Sequence, residues 1–194
     1  MERNIAEEVS FETERMRFRR LTDADGEILF VLDNDPAVMR FINGGKPTPR
    51  EVIETRNLPW LLDQHRDGFG VWVAIERSTG ELIGRFSLRL DEGDLKKVEL
   101  GYRLRPSAWG KGYATEGSRA LVDKGFSELG AERIYATTMT VNTASRRVME
   151  KVGLKYVRTF HESWPETIPG TEEGDVEYAL TRSEWKQLDS FRLP

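Results

Sequence analysis

Arg105-Pro106-Ser107-Ala108-Trp109-Gly110-Lys111-Gly112-Tyr113-Ala114-Thr115-Glu116 is the stretch on which the reading of this chain turns. A run of strand character, Val98 to Leu104, leads into it, and a run of helical character, Ala114 to Leu129, leaves it. Two glycines bracket a lysine at the corner, so main-chain N–H groups are presented there with no side chain in the way. The first turn of the helix adds unpaired N–H donors and the positive end of its dipole. Such a corner suits a phosphate or pyrophosphate, although a plain loop before a helix would carry the same two glycines. Two phosphate motifs are excluded. A dinucleotide fingerprint needs a third small residue at position 115, where Thr115 stands, and it opens a βαβ unit, whereas this corner follows three strand-like segments. The spacing G-x-x-x-x-G-K-[ST] occurs nowhere.

Upstream, Gly70 to Glu76, Glu81 to Leu90 and Lys97 to Leu104 alternate or run apolar between short turns, which predicts an antiparallel meander. Arg15 to Leu21 reads as an earlier strand. Thr22 or Asp23 caps a helix through Leu32, and Pro36 opens a shorter helical piece. Thr48-Pro49-Arg50-Glu51 has the form of a capping box, and Pro59 is expected to break or kink the helix it starts. Downstream, Arg133 to Thr140 reads as a strand. Asn142 to Val152 is a short helix ended by Gly153, and Leu154 to Phe160 and Val176 to Leu180 are strands. Between those last two lies a long loop, His161 to Gly174. Residues 1–14 read as a loose leader and 15–194 as a single domain.

The chain has 194 residues, is 38% hydrophobic and 32% charged, and carries a net charge of −4. That composition is globular, and the acidic balance disfavours nucleic acid. No apolar run approaches the roughly 20 residues that span a membrane, and the N-terminus has no signal-peptide core. With no cysteine there is no thiol nucleophile or Cys-metal site, and a cytoplasmic location is the expectation. His65 and His161 lack partners at metal spacing, so no metal is expected.

The corner WGKGYA, the strand bearing Glu99, the strand ending in Asn142 and the run NTASRRVMEKVGL together resemble the GNAT superfamily of acetyl-CoA-dependent N-acetyltransferases, most closely its RimJ/RimL-type branch. The resemblance runs from about Arg15 to Trp185. The corner fits the family's [Q/R]-x-x-G-x-[G/A] pattern at Gly112 and Ala114 and departs from it at Trp109, as RimJ/RimL-type members commonly do. The resemblance implies an α/β (α+β) fold. Its central sheet would be mixed, mostly antiparallel and of about seven strands, flanked by helices and splayed at the acetyl-CoA site. It places the pyrophosphate on the backbone of residues 110 to 115, with Leu100, Tyr102, Trp109, Gly110, Lys111, Gly112, Tyr113, Ala114, Thr115, Asn142 and Ser145 as cofactor-binding positions. Hydrogen bonds to a charged group contribute roughly 1.5–3 kcal/mol each and a helix-end charge interaction roughly 0.3–1, so several N–H donors outweigh the one charge of Lys111.

Glu99 is the candidate base, acting through water, unless it is only an outward strand carboxylate paired with Lys97 or Arg103. Many superfamily members carry a tyrosine as thiolate acid where this helix has Met149, which cannot donate a proton. Ser145 is the substitute, although it also fits an ordinary first-turn serine. Asn142 either holds the pantetheine or caps the helix. Tyr102 and Tyr113 read as packing residues rather than acids. The expected acceptor is a primary amine, either a protein N-terminal α-amine or a small molecule. It would sit between Asp35–Pro47 and the loop carrying Glu162, Glu166, Glu172, Glu173 and, just beyond, Asp175. The alternatives are a non-catalytic acyl-CoA-binding module and an enzyme using a longer acyl-CoA. A homodimer is compatible with the sequence.

Overall fold

Alternation along one strand sets the two layers of the core. In β3 (Gly70–Glu76), Val71 and Val73 belong to one apolar cluster and Trp72 and Ala74 to another, and all four are fully buried. The strand is therefore covered on both faces, as its nearly continuous apolar sequence requires. A computed structural model describes residues 9–91, 94–161 and 167–190. Around β3 lie β1 (Val9–Glu12), β2 (Met16–Arg20), β4 (Leu82–Asp91), β5 (Asp94–Leu104), β6 (Arg133–Met139), β7 (Lys155–Phe160) and β8 (Asp175–Thr181). They form one eight-stranded sheet in the order β1-β2-β3-β4-β5-β6-β8-β7. Every pairing is antiparallel except β5 with β6.

The Trp72 face is covered by α5 (Tyr113–Ser127), whose Leu121, Val122 and Phe126 meet Phe18, Phe86 and Leu88. α6 (Thr143–Lys151) and α7 (Arg182–Ser190) extend that layer, with Trp185 stacked 5.5 Å from Phe126. The Val71 face is covered by α1 (Gly26–Asp33), α3 (Arg50–Val52) with the turn after it, and α4 (Leu58–Asp63), through Leu29, Ile53, Leu58 and Leu61. α2 (Pro36–Asn43) begins on a proline, with the Asp35 carboxylate accepting from the N–H groups of Ala37 and Val38.

Three expectations are corrected. The leader is not loose throughout: Val9–Glu12 pairs with β2, because Phe11 stacks on Phe18 at 4.4 Å and meets the edge of Trp72 at 6.0 Å. That strand raises the count from about seven to eight, while residues 1–8 lie outside the described residues. Pro59 does not break its helix. A π-helical turn, Ile53–Asn57, precedes it, with the Leu58 N–H donating to the Ile53 carbonyl, and the widened turn accommodates the ring at the start of α4. The capping box at Thr48 does not form, because the helix starts at Arg50 behind Pro49 with no side-chain cap. Thr48 is tied instead to the end of α1, its carbonyl accepting from Asn34 Nδ2 at 2.9 Å.

The parallel pair is the feature that positions the site. β5 and β6 pair only at Lys97–Arg133, Val98–Ile134 and Glu99–Tyr135, although β5 continues to Leu104 and β6 to Met139. Beyond Glu99 the two strands part. α5 bridges the closed end, where Gly125 lies against both Ile134 and Leu88. At its other end Gly117 lies on the rings of Phe86 and Phe18 instead, and a methyl there would stand 2.5 Å from Phe86 Cζ. Gly117→Ala is therefore expected to destabilise the protein by about 1–3 kcal/mol through overpacking, despite alanine's better helix propensity. Urea unfolding checks this, and unchanged stability would contradict the close approach.

Candidate active site

The parted strands open a cleft of about 690 Å³. Glu99, Leu100, Tyr102, Trp109, Gly110, Gly112, Ala114, Thr115, Asn142 and Ser145 all line it, so ten of the twelve positions singled out from sequence meet in one place. Lys111 and Tyr113 are not among its walls. The Lys111 side chain is exposed, and Tyr113 is buried with its hydroxyl on the Glu76 carboxylate. These two can serve a ligand in the cleft only through their main chain.

The corner has the conformation that its glycines permit. Gly110 and Gly112 have φ of 71° and 85°, both left-handed, and Gly112 caps α5. Among the described residues, the N–H groups of Gly110, Lys111, Gly112 and Tyr113 have no protein acceptor, which is the condition an anion cradle needs. The carbonyls are turned elsewhere by a residue the sequence reading passed over. Arg15 donates through Nη1 to the Lys111 carbonyl at 2.8 Å, stacks 4.4 Å over the Tyr113 ring and pairs with Glu116 at 2.7 Å. Glu116 also accepts from the Thr13 hydroxyl and the Arg15 N–H. Burial pushes its carboxyl upward, but these hydrogen bonds and the guanidinium outweigh that and hold it below the usual range. Trp109 Nε1 closes the corner by donating to the Leu104 carbonyl at 2.9 Å.

Residues 15–155 match the model of the acetyltransferase (GNAT) domain. The chain belongs to the GNAT acetyltransferase family. It is 36% identical, over 95% of its length and 81% of the relative's, to the FsC-acetyl coenzyme A-N(2)-transacetylase of Aspergillus fumigatus. A GNAT-family acetyltransferase structure from Bacillus anthracis superposes with a TM-score of 0.72 at 27% identity, covering 89% of this chain and 98% of that one. RimL, a ribosomal L7/L12 alpha-N-protein acetyltransferase solved with coenzyme A, shares the fold with a TM-score of 0.74 at 18% identity, covering 90% and 98%. This GNAT enzyme transfers an acetyl group from acetyl-CoA to an amine. Membership in the family answers the non-catalytic alternative.

The cleft of this GNAT domain opens where β5 leaves β6. Glu99 is the last paired residue of β5, and its Oε2 accepts from Arg89 Nη2 at 2.5 Å across the β4–β5 pair. Its ion-pair partner is thus neither Lys97, which pairs with Asp91, nor Arg103, which pairs with Asp33. Arg89 Nη2 takes one carboxylate oxygen and leaves Oε1 for a second hydrogen bond. On the opposite wall, Asn142 caps α6: Oδ1 accepts from Ser145 N at 3.3 Å and Nδ2 donates to Thr138 Oγ1 at 3.0 Å. Both readings of Asn142 are thereby compatible with its place, since it caps the helix and lines the cleft. Met149, on the same helix, is nearly fully buried and is itself one of the residues lining the cleft.

The cleft is also lined by Ala37, Arg40 and Phe41 of α2, and by Thr137, Phe160 and Asp175. Ile168 of the 161–174 loop packs against Gly44 at the end of α2, so the two expected segments do meet. The acidic character is narrower than expected. Asp175 is buried in the wall, Glu172 and Glu173 are exposed and absent from it, and Glu162 and Glu166 lie outside the described residues. Among the described residues no group of three or more His, Asp or Glu side chains could hold a metal, and no helix is long and apolar enough to cross a membrane.

If the bare amides rather than the lysine hold the pyrophosphate, Gly112→Val, which forces a β-branched residue to a φ of 85°, should abolish measurable acetyl-CoA binding. Lys111→Ala should weaken it only a few-fold, about 1 kcal/mol or less. Calorimetry of the two variants with acetyl-CoA separates them, and equal small losses would defeat the amide cradle.

Proposed function

We propose that this cleft carries the acetyl transfer, with acetyl-CoA along the parted edge of β5, its pyrophosphate on the N–H groups of residues 110–115, and an α-amine as acceptor. The observation that carries the reading is the early end of the β5–β6 ladder, which leaves an open strand edge between an amide-rich corner and a carboxylate. The neutral amine attacks the thioester carbonyl, so a C–N bond forms. Glu99 accepts the ammonium proton through a water. As the C–S bond breaks, the electron pair goes to sulfur, and the Ser145 hydroxyl donates a hydrogen bond to it. Ser145 takes this role because its hydroxyl lies in the cleft wall on the same helix as Met149, which supplies no donor.

An α-amine suits the machinery. With a pKa of roughly 7.7–8.0 it is about 10–20% neutral at pH 7, whereas a lysine amine near 10.4 is neutral to about 0.04%. A single carboxylate already engaged by Arg89 is adequate for the first and a poor match for the second. The Aspergillus relative, named for transfer to an N(2) nitrogen, supports the same class of amine. Trp109, Glu99 and Ser145 together favour the RimJ/RimL-type branch, and acetyl-CoA use in a chain without cysteine favours the cytoplasm.

Glu99→Gln is expected to lower kcat by about 10²–10⁴ while acetyl-CoA affinity stays unchanged, in steady-state assays of thiol release paired with calorimetry. An unaltered rate would make Glu99 a structural partner of Arg89. With matched acceptors at pH 7, α-amines should react about a hundredfold faster in kcat/KM than ε-amines. Equal rates would remove the α-amine assignment.

A further inference from the structure

Tyr102 lies on β5 past the last residue paired to β6, and its hydroxyl crosses the gap to the first turn of α6. There it stands 2.9 Å from Ser145 Oγ and 3.1 Å from the Ser145 carbonyl oxygen. It is the phenol in the cleft wall, and the ring is fixed from behind by Phe86, its cross-strand neighbour, at 6.4 Å. We propose that Tyr102 is a positioning residue for acetyl transfer, holding the Ser145 hydroxyl so that the serine's own proton is directed at the departing sulfur. The proposal rests on the reading of Ser145 given above.

The chemistry follows from counting protons. A phenol has one proton, and here two acceptors compete for it. When Tyr102 donates to Ser145 Oγ, the serine O–H is freed from that pairing and can turn into the cleft. When the phenol donates to the carbonyl instead, the serine O–H is consumed by the phenol oxygen. A sulfur gaining charge in the cleft favours the first arrangement, because a hydrogen bond to a developing anion is worth more than one between neutral groups. Burial pushes the phenol up to about 12, with the Ser145 hydrogen bond opposing, so Tyr102 stays an O–H donor across the working range.

No complete proton transfer from the pair is needed. A cysteine thiol has a pKa of about 8.5 and an ordinary phenol about 10, so a thiolate is too weak a base to deprotonate a serine or a phenol raised this far. Ser145 therefore supplies a hydrogen bond while the C–S pair collapses onto sulfur, and the thiolate takes its proton from solvent afterwards. Tyr102 ends each turnover as it began, which is why its role is orientation and not acid catalysis.

The test is a double-mutant cycle in the full-length protein with acetyl-CoA and an α-amine acceptor, reading kcat and KM separately. Tyr102→Phe keeps the ring and removes only the hydroxyl, and should lower kcat about 10- to 100-fold with the KM for acetyl-CoA within about twofold. Ser145→Ala should lower kcat at least as far, and the double variant should be no slower than Ser145→Ala alone. An unchanged kcat for Tyr102→Phe, a loss confined to KM, or losses that multiply in the double variant would each overturn the proposal. If Tyr102→Phe fails in one of these ways while Ser145→Ala is slow, the Ser145 reading survives. A fully active Ser145→Ala would end both.

Discussion

The parting of β5 from β6 after Glu99 is the constraint on which the rest of the molecule depends. Parallel strands with a crossover helix normally stay paired along their length, because each buried N–H and C=O left without a partner costs free energy. Here the helix itself limits the pairing. At one end of α5 the bare backbone of Gly125 lies against Ile134 of β6 and Leu88 of β4, and at the other end its Gly117 is seated on Phe86 and Phe18, away from β6. β6 stays paired to β8 along its length, and β5 from Leu100 to Leu104 runs without β6 as a partner on that edge.

That opening divides the chemistry between two walls. The β5 wall carries the carboxylate and the phenol, and the α6 wall carries the serine and the asparagine that fixes its helix. Neither wall is complete alone. The donor half is made largely of main chain, which a side-chain change alters little. Side chains from α2, Phe160 and Asp175 complete the cleft lining, and Ile168 meets Gly44 at the end of α2.

Features written in neighbouring residues were legible in the sequence. The glycine corner, the alternation of the meander, the asparagine cap and the N-x-x-S helix all stand within a few positions of one another, and each appears where expected. What escaped notice depends on distant partners. Phe11 sits in a charged stretch, and only its stacking on Phe18 and Trp72 makes a strand of Val9–Glu12. The hydroxyl of Tyr102 finds its serine 43 residues on, so the residue read as packing. Pro59 predicts a break unless a π turn is foreseen, and nothing local foretells one. The acidic loop misled in the other direction: a cluster of charge along the chain is mostly a solvated surface, and among its described members Asp175 alone reaches the cleft.

Arg15 holds the carbonyl of Lys111 from 96 residues away, and the anion-binding turn keeps its form through that hold. Translation proceeds from the N-terminus, and domains begin to fold as they emerge. The guanidinium is therefore synthesised long before the turn it steadies, on the residue that leads into β2. The form of the corner is in this sense a property of the residue between the first two strands as much as of its own glycines.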